Sequence, residues 1–157
     1  MDRLLDPYEV ARQSSGDFWS KADGARYVAY CLWTLRTANL IDPTPIGRDA
    51  EDGKSALIWG WLRESSLALE LIAKAALAEK NLLEGVSSVP VSHNVPQLWK
   101  MAGLPRTSRE QDYHLWGAYQ ALQWSGRYSA PRKGARDLFE EMASLRSYID
   151  IGRARTP

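Results

Sequence analysis

The chain is poor in the residues that build reactive centres. Its 157 residues include one cysteine, two histidines and two phenylalanines. A lone Cys31 excludes an internal disulfide and fits a reducing cytoplasm. Cysteine 31 and histidines 93 and 114 lie far apart in the chain, so no metal-ligand cluster is expected, and no cofactor. No nucleophile elbow is present, nor a glycine-rich dinucleotide loop following a strand, which excludes the enzyme classes that need them. The segment Gly53-Lys54-Ser55 matches the tail of a phosphate-binding loop. That pattern wants a glycine five residues before Gly53; Arg48 stands there, and Gly47 comes one residue too early. No apolar run reaches membrane-spanning length, and the opening MDRLLDPYEV is too charged for a signal peptide. A cytoplasmic protein with no membrane association is therefore expected. Internal repeats, low-complexity tracts and alternating strand patterns of useful length are also missing.

What the chain does contain is helical. Residues 57–81, LIWGWLRESSLALELIAKAALAEKN, hold no proline and only Gly60. From Leu67 to Ala78 only Glu70 and Lys74 are charged. A helix apolar around most of its circumference must be covered on several sides. At 1.5 Å per residue it spans about 37 Å, the width of a small domain. Residues 57–81 are thus expected to be the central rod of an all-α bundle. Seven tryptophans are expected to sit in the core or to face a partner, because each carries a large apolar ring.

The other segments read as helices laid against that rod. Residues 1–16 form an N-terminal arm or short helix, broken by Pro7 and closed by Ser14-Ser15-Gly16. Asp17 is expected to cap the next helix, where Phe18, Ala22, Ala25, Ala29 and Leu32 recur at helical spacing up to Asn39. The polar connection at 42–55 ends at Ser55, the expected cap of the central rod. A short helix should start around Ser92-His93-Asn94, with Pro96 in its first turn and Gly103 at its end. Ser108 with Gln111 three residues on reads as a capping box for a further helix carrying Tyr113, Trp116, Tyr119, Leu122 and Trp124. Ala130-Pro131 opens a last helix with Leu138, Phe139, Met142, Leu145 and Ile149 on its apolar stripe. The expected architecture is an antiparallel four-to-five-helix bundle over 17–152, with a mobile tail at 153–157.

Charge is unevenly distributed. Residues 1–99 carry ten Lys/Arg against thirteen Asp/Glu, whereas residues 100–157 carry ten against six. An anionic partner would meet the C-terminal third first. Arg127, Arg132, Lys133 and Arg136 cluster around the start of the last expected helix. Cations are unfavourable at the positive end of a helix dipole, so their placement makes sense if an anion or an acidic partner docks there. Tyr128 offers a base a stacking surface. The alternative is a solvated basic surface balanced by Asp137, Glu140 and Glu141. On the central rod, Arg63, Ser66, Glu70 and Lys74 recur at three and four residues, forming one stripe. It is either a solvated edge or a polar groove between helices that His93 joins.

The order of these pieces resembles the HEPN superfamily of helical-bundle domains found in prokaryotic toxin–antitoxin and defence systems. The central helix matches through residues 68–77, ALELIAKAAL. Ser92-His93-Asn94-Val95-Pro96-Gln97-Leu98 looks like the family's histidine-led helix start, and Gly126-Arg127-Tyr128-Ser129-Ala130-Pro131 like its Arg-Tyr-Pro turn before the last helix. The resemblance spans about residues 17–150. It implies a homodimeric bundle that binds RNA, a nucleotide or an antitoxin-like protein partner, and in some members metal-independent RNase activity. Such members place an arginine and a histidine four to six residues apart, the arginine stabilising phosphate charge and the histidine assisting proton transfer.

This sequence departs from that pattern. No histidine follows Arg127. The only pair with suitable spacing, Arg109 and His114, lies one helix too early. Five residues on a regular helix turn through about 140°, so the two converge across a dimer or at a frayed helix start and not on one regular helix. The expectation from sequence is a binding protein without the usual catalytic motif, His114 partly buried and hydrogen-bonded, and His93 a capping group. An RNase toxin using Arg109 and His114 across a dimer, and a structural or adaptor subunit docking a partner through its tryptophans, are the alternatives.

Overall fold

Four helices account for the described part of the chain, and no strand occurs among the described residues. The structure, a computed structural model, describes residues 14–40, 42, 49–85 and 88–124. The helices are α1 (Ser15–Thr37), α2 (Ala50–Glu84), α3 (Val95–Met101) and α4 (Arg109–Trp124).

Local chemistry sets each boundary. Ser14 caps α1, its hydroxyl accepting from the Asp17 amide at 3.2 Å. Asp17 is thus not the cap. It sits in the first turn, where its negative charge complements the helix dipole. Ser15 and Gly16 accordingly belong to the helix rather than to the N-terminal arm. The chain leaves α1 through Asn39, in the left-handed region at φ 53°.

The central rod is longer than its sequence pattern indicates. Asp49 caps it, accepting from the Asp52 amide at 2.7 Å, and Ser55 lies inside the helix. The acidic first turn, Glu51 and Asp52, favours this earlier start despite its polarity. At the other end Gly85 closes the helix at φ 69°, a conformation open to glycine at little cost. Residues 50–56 carry no buried side chain, whereas burial is dense from Ser66 to Asn81.

α1 runs antiparallel to α2. Its start reaches the far end of the rod, where the Ser15 hydroxyl donates to the Glu79 carboxylate. Its other end meets the near part, where Leu32 lies over Gly60 and Trp33 packs on Trp61 at 5.1 Å between ring centroids. A Cβ at Gly60 would come within 3.1 Å of Leu32, so the glycine permits this approach. The buried face of α1 is Ala22, Ala25 and Ala29, small side chains that bring the helix axes close.

α3 and α4 cover another side of the rod. Leu98 of α3 is fully buried against Ala73 and Leu77, with Val89, Ala102 and Leu104 at the margin. Val95 packs with Leu115 and Ala118 of α4, flanked by Leu69 and Trp99. The Trp99 indole donates to the Pro105 carbonyl at 2.9 Å, which ties the turn between α3 and α4. Ser108 and Gln111 form the expected capping box: the Gln111 amide donates to Ser108 Oγ at 3.3 Å, and the Ser108 amide to Gln111 Oε1 at 2.9 Å. The all-α class read from sequence is thus observed. The last expected helix, the tail and most of the N-terminal arm lie outside the described residues.

Candidate functional site

Glu70 is the centre of the site. It is 2 % exposed on the middle of α2. A carboxylate withdrawn from water this far is costly unless its oxygens are satisfied. One turn along the same helix, Lys74 donates to Oε1 at 2.5 Å. From the loop before α3, His93 Nδ1 lies 2.9 Å from Oε2. An ionised carboxylate can only accept, so Nδ1 then carries the hydrogen.

The three residues differ in their access to water. The Lys74 side chain is 12 % exposed and that of His93 46 %. The buried carboxylate therefore fixes a half-exposed imidazole by one ring nitrogen, and the second ring nitrogen is the one left for a ligand. A carboxylate–histidine pair of this kind sets ring orientation and tautomer. The histidine does not cap α3, contrary to expectation. Asn94 does, accepting from the Gln97 amide at 3.0 Å, and the Asn94 amide in turn donates to Ser92 Oγ at 3.1 Å.

Neighbouring polar groups hold the frame. Ser66, one turn before Glu70, is buried and donates to the Leu62 carbonyl at 2.7 Å. Asn81 donates to the Ser88 carbonyl at 3.0 Å and so fixes how the chain returns from α2 toward His93. Lys80 donates to the Met101 carbonyl at 2.9 Å, holding the end of α3 on the rod.

The structure sorts the sequence-derived candidates. Glu70, Lys74 and His93 come together. Arg63, the other charged member of the stripe, is exposed two turns away. Glu70 and Lys74 do not form a solvated edge: their side chains are 3 % and 12 % exposed, and His93 reaches Glu70 from the loop before α3. Arg109 opens α4 in an exposed position. His114 is exposed too, edge-on to Tyr113 at 6.5 Å, not partly buried as expected; the buried face of α4 is taken by Leu115, Ala118 and Ala121. Both lie on one unbroken helix, five residues and about 140° apart. Arg127, Tyr128, Arg132, Lys133 and Arg136 lie outside the described residues.

Several tryptophans, expected either in the core or facing a partner, lie outside the core. Trp19, Trp33, Trp59 and Trp116 are all exposed by more than a third. Trp33 is the best supported of these, with the Arg36 guanidinium 5.5 Å from its ring centroid and Trp61 on its other contact. The buried side chains of α1 are alanines, Ala22, Ala25 and Ala29.

Among the described residues no group of His, Cys, Asp and Glu is arranged to hold a metal ion, and no helix is long and apolar enough to cross a membrane. No protein-family model matches the chain, and comparison with curated proteins and with solved structures finds no match.

Proposed function

We propose that this chain is a HEPN-like helical binding protein of a prokaryotic toxin–antitoxin or defence system, acting in the cytoplasm as a homodimer. Its ligand is anionic: RNA, a nucleotide or an acidic protein partner. The observation that carries the reading is the seating of His93 on Glu70. It joins a histidine-led helix start to the middle of the long helix, two of the three elements on which the resemblance rests, and it leaves a fixed, half-exposed ring beside a lysine. The positive excess of residues 100–157 supports an anionic ligand independently. Catalysis through Arg109 and His114 has no such support and is not part of the proposal.

The test is a polyanion titration. Replacing Arg127, Arg132 and Lys133 together by alanine weakens binding of a fluorescent single-stranded RNA. It also flattens the plot of log affinity against log salt by about two units, since each lost phosphate contact removes ~0.7. Unchanged affinity and slope would remove the reading.

A second reading has its own observation. Trp19, Tyr27, Tyr30 and Trp33 are exposed along α1. Aromatic side chains are enriched at protein interfaces, which suits an adaptor subunit that docks another protein.

A further inference from the structure

The outward face of α1 has a repeat that the helix does not use in packing on α2. Trp19, Asp23, Arg26 and Tyr30 follow one another at alternating intervals of four and three residues. That is the spacing of a coiled-coil seam, the row of side chains one helix shows to a partner helix. All four are exposed, Trp19 by 63 % and Tyr30 by 66 %. The buried side chains of α1 are Ala22, Ala25 and Ala29, on an adjoining face, and Leu32 and Trp33 reach α2 at Gly60 and Trp61.

This seam is complementary to itself when reversed. A two-fold axis between Asp23 and Arg26 brings level those residues whose numbers sum to about 49, as follows from the equal rise per residue. Trp19 then meets the partner's Tyr30, and Tyr30 the partner's Trp19. Asp23 meets the partner's Arg26, and Arg26 the partner's Asp23. The parallel arrangement would set Asp23 against Asp23 and Arg26 against Arg26, which like-charge repulsion opposes. Within one protomer Arg26 Nη2 already lies 2.7 Å from Asp23 Oδ1, with both side chains largely in water. Two such pairs brought face to face make a four-charge cluster of alternating sign.

We propose that α1 is a self-docking surface, on which a second copy of this chain packs antiparallel through Trp19, Asp23, Arg26 and Tyr30. The seam is about 17 Å long from Trp19 to Tyr30. A single helix pair is small beside a standard stable interface, so the dimer is reversible and depends on concentration. The inference gives the face of the homodimer proposed above, resting on that reading for assembly state alone and not on the ligand.

Charge reversal tests it. Sedimentation equilibrium over a concentration series is run on the full chain, on Asp23→Arg, on Arg26→Asp and on the double variant. Each single change sets like charges opposite one another and weakens association at least about tenfold. The double change restores the alternation and returns the dissociation constant to within about threefold of the original. Both residues are exposed, and circular dichroism verifies that every variant is folded. A dimer indifferent to the single changes, or a double variant that fails to recover, overturns this face while leaving the homodimer standing. A chain that stays monomeric throughout overturns both. RNA titration of the same samples keeps these outcomes separate from the ligand reading.

Discussion

The two sides of α2 are built on different principles. Toward α1 the buried side chains are small, Ala22, Ala25 and Ala29, and Trp19, Tyr27 and Tyr30 are left outside, with Trp33 on Trp61 the one ring pair recorded across this contact. Toward α3 and α4 it is made by larger ones, Leu98, Val95 and Leu115, and it encloses a charged group. The first side gains closeness of backbone and a long, uniform contact. The second gains specificity, because Glu70 accepts from two residues 19 positions apart in sequence, Lys74 and His93, and only one placement of the loop satisfies both. A helix pair resting on alanines tolerates sliding better than a loop pinned at a carboxylate.

The comparison breaks most clearly at Glu70. Glu70→Ala leaves the Lys74 ammonium enclosed without its counter-charge and releases His93, so urea unfolding should show a loss of about 3–5 kcal/mol. Replacing the pair together, Glu70→Leu with Lys74→Met, removes both charges and recovers a large part of that loss. If the single variant unfolds at the same urea concentration as the parent, the carboxylate is solvated and the contrast between the two sides disappears. On the other side, Ala25→Leu forces methylenes into the close helix contact and should cost about 1–3 kcal/mol. A neutral result would mean that the alanine contact has slack. The smallest effect is expected at the outer face of α1, where Asp23→Ala removes an exposed ion pair and should change monomer stability by less than about 0.5 kcal/mol.

The fold was readable in the sequence where patterns are local. The apolar run of 67–78, the small residues of α1 at helical spacing and the Ser108–Gln111 capping box all depend on neighbours within a few positions. The helix starts at Ser15 and Ala50 were less readable, since several polar residues in each stretch can cap and tertiary context selects one. The site was half readable. Periodicity placed Glu70 and Lys74 on one stripe, but whether that stripe meets water depends on a loop 23 residues further on. His93 was visible as a polar residue at a helix start, and a capping role is the commoner fate there. The signal against it was Asn94, a better cap one position later. The exposure of the tryptophans was not legible at all, because ring size alone does not say which side of a helix the small residues have already taken.

The 35-residue length of α2 has one more consequence. Its first two turns stand beyond the dense packing, while the stretch around Ala73 is sealed on both sides. Amide hydrogens along this one continuous helix should therefore exchange with deuterium at very different speeds. Those near Ala56 are released by local fraying, and those near Ala73 only when the whole fold opens. A single rod thus carries its own internal scale of opening free energies, from nearly nothing at one end to the full unfolding value at its middle.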